Sequence, residues 1–249
     1  MLIKEGLKDY SFCSFGEVKD RLIDCAAKKR LPQQAETVIM FLFPYKTENR
    51  PPVNLSRYAS VPDYHTVCGN MLRTAAEALG NAFPDKHFEY FVDNSPIPEV
   101  HAASAAGLGL KGDNGLLISR KYGSFVFIGE IVTDMKLPCY SEYMECIHCG
   151  KCRKACPVVL DKRNCISAIS QKKGELNHTE AELLRCGGSV WGCDICAEAC
   201  PFNKYAQYTY IKEFTTGYRD CFCPDENTEG RPYMWRGTEP IIRNSKILG

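Results

Sequence analysis

Cys146-Ile-His-Cys149-Gly-Lys-Cys152-Arg-Lys-Ala-Cys156-Pro157 carries the strongest signal in this chain. Its spacing, C-x2-C-x2-C-x3-C-P, is the run that holds [4Fe–4S] clusters in two-cluster bacterial ferredoxins, where the fourth cysteine serves the other cluster. The reason is geometric. Three thiolates at this spacing wrap a tight loop around one face of a cube, and the fourth lies too far along the next turn to close it. A second, incomplete copy follows at Cys193-x2-Cys196-x3-Cys200-Pro201. Symmetrical crossing gives one cluster Cys146, Cys149, Cys152 and Cys200. The other has Cys156, Cys193 and Cys196 and lacks a ligand. Cys165 and Cys186 stand between the two copies, and spacing does not choose between them. Paired C-x2-C motifs also build zinc sites, but those draw two ligands from each knuckle rather than three followed by Cys-Pro.

The rest of the chain sets the context for these thiols. It has 249 residues, 15 of them cysteine, and is 45% hydrophobic, which is enough apolar material for an ordinary core. Lys plus Arg (31) and Asp plus Glu (30) nearly cancel, so net charge gives no general pull toward nucleic acid or an anionic membrane. A local basic patch stays open. The opening MLIKEGLKDY lacks an apolar core for a signal peptide, and the longest apolar run, Val38 to Pro44, has the length of a buried strand. A cytoplasmic location is therefore expected, where thiols stay reduced and clustered cysteines bind metal.

Residues 1–137 hold only Cys13, Cys25 and Cys68 and read as an α/β (α+β) domain with a mixed sheet. Ser14-Phe-Gly-Glu17 has capping-box spacing ahead of Val18, Leu22, Ile23 and Ala26, which predicts a helix. Thr37 to Phe43 predicts a buried strand, and His87 to Asp93 an alternating one. Asp63 can cap a helix with Val67, Met71, Leu72, Ala75 and Leu79 on one face. Pro98 suits the first turn of another helix that stops near Gly107 or Gly109. Gly115–Ser119 and Ser124–Thr133 predict a β-hairpin joined through Lys121-Tyr-Gly123. Residues 138–205 form the cysteine-dense, ferredoxin-like domain. Residues 206–249 form a short third segment in which Pro224, Gly230, Pro232 and Pro240 break any long helix.

With these motifs in hand, the chain resembles the epoxyqueuosine reductases, cobalamin-dependent enzymes of tRNA modification. The resemblance rests on the order of several segments: Ser56-Arg-Tyr-Ala-Ser-Val-Pro-Asp-Tyr-His65, Val92-Asp-Asn-Ser-Pro-Ile-Pro-Glu99, Ala105-Ala-Gly-Leu-Gly-Leu-Lys-Gly-Asp-Asn114, Gly123-Ser124 and Gly129-Glu-Ile-Val-Thr133. After the first cysteine run come Cys165-Ile-Ser167 and Gly192-Cys-Asp-Ile-Cys196. The resemblance implies that Cys165 is the eighth cluster ligand and that the clusters pass electrons to a base-off cobalamin. It implies tRNA as substrate and ferredoxin or flavodoxin as electron donor. It also implies that Asp93 protonates the departing oxygen, for which a carboxyl raised by burial beside Phe91 and Val92 is expected. By position alone Asp93 is a turn residue before Asn94-Ser95-Pro96. The cobalamin contacts carried over are Ser56, Asp93, Asn114, Leu117, Ile128 and Ser167, although Leu117 and Ile128 serve equally as strand core. Asp63, His65 and Lys173 are carried over as substrate contacts, with Lys151, Arg153, Lys154 and Lys172 as further basic residues.

The chain departs from the family pattern in places. Ser60-Val61-Pro62 replaces small and basic residues, and Asp113 stands where a lysine is usual; both changes remove positive charge near the implied pocket. The resemblance further implies a C-terminal helical-repeat domain, and Trp235–Asn244 echoes the segment leading into one, so the tail reads as truncated. Two other functions remain open on the sequence. One is a cobalamin-dependent reductase of a small molecule, similar to reductive dehalogenases; the other is an electron-transfer iron–sulfur protein. Cys13, Cys25, Cys68, Cys139, Cys186, Cys221 and Cys223 carry no assigned role.

Overall fold

β-branched and aromatic residues from Thr37 onward build the middle of a four-stranded sheet. The structure is a computed structural model that describes residues 6–49, 51–139 and 144–249. In chain order the first elements are β1 (Tyr10–Ser14), β2 (Thr37–Pro44), α1 (Tyr64–Ala82), β3 (Phe88–Val92) and α2 (Glu99–Ala105). β4 (Leu110–Lys111), β5 (Leu117–Ile118) and β6 (Val126–Thr133) follow. The sheet order is β1-β2-β6-β3. All eight residues of β2 are buried.

Two helices cover the sheet, and alternation along its strands sorts the side chains between them. Val38, Met40 and Leu42 join Phe91, Val132 and the alanines Ala102, Ala103 and Ala105 of α2 in one core cluster. Phe43 turns the other way. There Leu72 of α1 lies over Gly129, where an added Cβ would stand 2.7 Å from Leu72 Cδ1 and 3.3 Å from Phe43 Cε2. Cys68, Leu72, Ala75 and Leu79 recur at helical spacing and are the buried stripe of α1. Burying a side chain such as Leu72 contributes roughly 1.5–3 kcal/mol.

Three expectations from the sequence are corrected. The sheet is antiparallel rather than mixed: β1 pairs antiparallel with β2, and β3 with β6. Hydrogen bonds from Glu36 N to Thr133 O and from Tyr45 N to Phe125 O, at opposite ends of β2, run β2 and β6 in opposite senses. The expected helix from Ser14 is a series of three 3-10 turns, Phe15–Glu17, Lys19–Arg21 and Ala26–Arg30. Leu22 adopts ψ 137°, which ends the helical path, and Ile23 N bonds Pro96 O instead. The expected hairpin also does not form. β5 pairs with β4, while β6 enters the large sheet between β2 and β3.

The described chain divides into two compact units that interleave in sequence. The first comprises residues up to Phe43, Tyr64–Arg120 and Val126–Ile147; the second comprises Pro44–Asp63, Lys121–Phe125 and His148–Gly249. The second unit is helical: α3 (Lys151–Ala155), α4 (Ile166–Ser170), α5 (His178–Gly187), α6 (Ile195–Glu198), α7 (Lys212–Thr216) and α8 (Glu239–Leu248). Asn177 and Glu180 form a reciprocal capping box at the start of α5, and Gly188 ends it in the left-handed region.

A core of Leu55, Ala59, Val190, Trp191, Phe222, Tyr233 and Ile241 draws on three distant stretches of sequence. Leu55 forms an isolated parallel bridge with Trp191. Pro240 lies in the first turn of α8, where its missing N–H costs nothing, so it starts that helix. Asn244 of α8 is fully buried and donates to Ser170 O at 2.7 Å and to Val190 O at 2.8 Å. Among the described residues no helix is long and apolar enough to cross a membrane.

Candidate functional site

In the second unit the cysteine runs sit on short helices joined by left-handed turns. α3 and α6 pack against each other and carry Cys152 and Cys196. His148 (φ 48°) and Gly150 (φ 70°) flank Cys149 and curl that loop. Cys165 caps α4, its carbonyl accepting Ile169 N at 2.9 Å. Burial pushes the Cys193 thiol up to about 11, and the neighbouring charges of Asp194, Cys165 and Cys156 push the same way. Cys193, Cys165 and Cys156 therefore share one neighbourhood. Cys186 is exposed on α5. Cys149, Cys152, Cys196 and Cys200 also belong to this unit, while Cys146 falls near the end of the first.

Ser56, Arg57 and Tyr58 pack on the Gly192-Cys193-Asp194 turn. Gly192 is left-handed (φ 78°), and a Cβ there would overlap Ser56 Oγ and stand 2.6 Å from Tyr58 Cε1. Ser56 is buried, and its Oγ has no hydrogen-bond partner among the described residues. Arg57 N donates to Asp194 Oδ2 at 2.6 Å, and burial raises the Asp194 carboxyl to about 6. Ser170 Oγ accepts from Gly192 N at 2.9 Å and donates to Ser167 O at 2.8 Å. Gln171 Nε2 donates to Ser167 O at 3.1 Å and Tyr58 Oη at 3.3 Å. Ser56 and Ser167 are thus linked through one hydrogen-bonded layer. Lys173 is exposed on an open depression of about 440 Å³ lined also by Ala168, Gln171, Lys172 and Arg236. Asp63 is held by its backbone N bonding Gly230 O at 2.8 Å.

The first unit gathers the other predicted residues. Asp93 follows β3 in the left-handed region (φ 59°), an uncommon conformation that aspartate tolerates better than most residues. Its Oδ2 lies 3.2 Å from His65 Nε2 at the start of α1. The His65 ring stacks on Tyr64 (centroids 4.1 Å apart), which stacks on Phe127 of β6 at 4.2 Å. The Asp93 carboxyl is exposed, and the hydrogen bond from His65 holds it below the usual carboxylate range. The expectation of a raised carboxyl is therefore corrected: the histidine outweighs the opposing pull of burial. Asn114 Oδ1 accepts Leu116 N at 3.3 Å and shapes the turn before β5. Leu117 is in the core cluster beside α2, and Ile128 packs against it.

Two carboxyls that the sequence reading left unassigned lie beside Asp93. Glu99 Oε1 accepts Asp93 N at 3.1 Å. Glu130 of β6 stands opposite Phe91 of β3 and is fully buried. Burial lifts the Glu130 carboxyl to about 8, and lifts Glu99 well above its ordinary value with further push from Glu130 and Asp93. The signal was present in the sequence: Glu130 is the one charged residue inside an otherwise apolar strand, Val126–Thr133.

One unit thus presents an acid–histidine pair on an α/β scaffold, and the other carries ferredoxin-spaced cysteines on short helices. Together they define a two-unit, thiol-rich α/β protein. Residues 26–94 match the family model described as epoxyqueuosine reductase QueG, DUF1730. The chain is 40% identical to the epoxyqueuosine reductase of Synechocystis sp. over 64% of its length and 58% of that protein's. It is 34% identical to that of Pseudomonas aeruginosa over 78% of its length and 59% of that protein's. For the Escherichia coli enzyme identity is 36%, over 65% and 44%. The structure of epoxyqueuosine reductase from Streptococcus thermophilus superposes with a TM-score of 0.82 at 21% identity, covering 100% of this chain and 78% of that one. A crystal structure of epoxyqueuosine reductase with an epoxyqueuosine-modified tRNA-Tyr stem loop gives 0.83 at 21% identity, covering 99% and 78%. The chain is thus similar to epoxyqueuosine reductases in sequence and shares their fold. It spans about two fifths to three fifths of the length of these curated relatives.

Proposed function

We propose that this chain is a cytoplasmic reductase that converts epoxyqueuosine to queuosine in tRNA, with two [4Fe–4S] clusters and a base-off cobalamin. The observation that carries the reading is the convergence of Cys156, Cys165 and Cys193, three thiols far apart in sequence, in one neighbourhood. Cys196 completes that set, and Cys146, Cys149, Cys152 and Cys200 form the other. Eight thiolates are what two cubes require. The buried, unpartnered Oγ of Ser56 beside Gly192 is a polar atom left for a ligand to satisfy, which fits a cobalamin contact. Ser167 offers a second hydroxyl in the same layer. Asp93, Asn114, Leu117 and Ile128 are the contacts proposed from the first unit.

Removing an epoxide oxygen as water takes two electrons and two protons. When bound, the clusters and cobalt supply the electrons, drawn from a ferredoxin or flavodoxin. The chain's own residues manage the proton. Asp93 Oδ2 and His65 Nε2 hold one between them, with Asp93 the anionic partner at rest, and it passes by way of Asp93 to the departing oxygen, which is a poor leaving group as an alkoxide. General-acid help of this kind is worth about 10²–10⁴-fold. Tyr64 fixes the imidazole by stacking. Lys173, with Lys151, Arg153, Lys154 and Lys172, contributes local positive charge for tRNA phosphates although the whole chain is nearly neutral. Asp63 and His65 are the proposed contacts to the modified nucleoside.

The test is complementation. The gene is expressed in a strain lacking its own epoxyqueuosine reductase, and tRNA nucleosides are analysed by mass spectrometry. Queuosine is expected, whereas persistence of epoxyqueuosine overturns the assignment.

A further inference from the structure

Asp93 sits on a short, tightly turned loop whose geometry needs outside support. Asn94 N bonds Val92 O and Ser95 N bonds Asp93 O, both at 2.7 Å, so the chain folds back twice within four residues. Asp93 itself is left-handed. Two side chains from other elements hold this loop. Glu99, the first residue of α2, accepts the Asp93 N–H. Glu130, from the middle of β6, accepts a short hydrogen bond from Ser95 Oγ, and the same Oγ accepts Ile97 N at 3.0 Å. One carboxyl thus grips the residue that bears the acid, and the other grips the loop two residues further on.

The charge of Glu130 also bears on Glu99. Glu130 is 0% exposed, and its Oε2 has no partner among the described residues. The described groups that act on Glu99 are Glu130, Asp93 and His65; the one that acts on Glu130 is the Ser95 hydroxyl. An unpaired buried carboxylate oxygen is costly, and two neighbouring carboxylates cannot both ionise without strong repulsion. A proton on Glu130 removes both costs.

We propose that Glu99 and Glu130 are positioning residues that clamp the Asp93 loop, and that the clamp closes only while Glu130 keeps its proton. The use made of Asp93 rests on the function proposed above, but the clamp does not. Loss of the proton places two negative charges beside Asp93, which is itself anionic and tied to His65. The loop then loosens from Ser95 back to Asp93. Burial lifts Glu130 to about 8, so the change falls within reach of ordinary conditions.

The test uses the full chain without cofactor or tRNA, labelled with ¹³C at the Glu and Asp side-chain carboxyls, and follows NMR shifts across neutral to alkaline pH. A Glu signal titrating near pH 8 is expected, with the Asp93 signal moving in the same step. Glu130→Gln keeps an acceptor for Ser95 and removes the Glu130 titration, so the alkaline step should vanish from the Asp93 signal. Glu99→Gln should shift the remaining Glu130 titration downward by about a unit or more, because the like charge is gone. The proposal is overturned if both glutamates titrate in the ordinary carboxylate range, or if the alkaline step at Asp93 persists unchanged in Glu130→Gln. The wild-type titration needs no variant to fold, and it decides the clamp whether or not the chain reduces epoxyqueuosine.

Discussion

Replacing Gly192 by alanine tests how closely the Ser56 segment is pressed onto the turn before Cys193. Two separable costs are expected. Alanine at φ 78° pays the left-handed penalty of about 1–2 kcal/mol. Its Cβ would also overlap Ser56 Oγ and crowd Tyr58, and overpacking of this kind costs about 1–3 kcal/mol. Gly188 provides the control. It too is left-handed (φ 65°), but an added Cβ there meets nothing within 4 Å. Gly188→Ala should therefore show only the backbone cost, and Gly192→Ala the sum, about 2–5 kcal/mol. Urea unfolding of the full chain, with both variants measured beside wild type, gives the difference directly. Ser56→Gly in the Gly192→Ala background should recover much of the steric part and none of the backbone part. Equal destabilisation by Gly188→Ala and Gly192→Ala would refute the close approach of Ser56.

Other expectations follow from the same geometry. Glu130 keeps its proton in the folded state up to about pH 8, whereas the unfolded carboxyl loses it near its ordinary 4.5. The folded state therefore binds more protons between these values, so stability falls as pH rises through that window and is level below it. Glu130→Gln should flatten this slope, as read from denaturant midpoints at a series of pH values; an unaltered slope would show that the proton is held elsewhere. Asp93→Asn should retain iron and cobalamin while losing about 10²–10⁴-fold in turnover, checked by metal analysis beside single-turnover assay; full activity would place the acid elsewhere. Cys165→Ser should cut iron in anaerobically reconstituted protein from about eight toward about four per chain, while Cys186→Ser leaves it at about eight. Equal losses in the two variants would reopen the choice between these cysteines.

The sequence was legible where one local pattern had one structural use. Val38–Phe43 is apolar at every position and became part of a strand buried on both faces. Of the stripe read as Val67, Met71, Leu72, Ala75 and Leu79, the last three are buried on the inner face of α1, where Cys68 joins them. It was misleading where the apolar residues after Ser14 matched a helix but the backbone found other partners, as when Ile23 bonded Pro96. The expected hairpin failed for a non-local reason. Ser124 N is held by Asn203 Oδ1 at 2.7 Å, a residue far along the chain, and Tyr122 and Phe125 are buried by such contacts. The antiparallel sheet was likewise out of reach, since β6 inserts between strands that a helix joins. For the site, cysteine spacing named seven thiols without help, because cluster geometry acts over a few residues. The Asp93–His65 contact joins residues 28 apart in sequence; the family resemblance named both residues but not their contact. Glu99 and Glu130 were quoted within motifs but given no task, because burial rather than residue type makes them unusual.

The core built from Leu55, Trp191, Phe222, Tyr233 and Ile241 has a consequence for synthesis. Leu55 must wait for Ile241, 186 residues later, before its unit can close. At about 5–20 residues per second, that interval is roughly 10–40 s on the ribosome. Throughout it the apolar Leu55 segment and each cysteine already made stand open to chaperones and oxidants. Trp191 lies two residues before Cys193, so the surface beside the second cysteine run is completed only once Ile241 has been made. On the function proposed above, cluster insertion therefore has to follow the synthesis of Ile241, and the thiols made before it depend on a reducing environment until then.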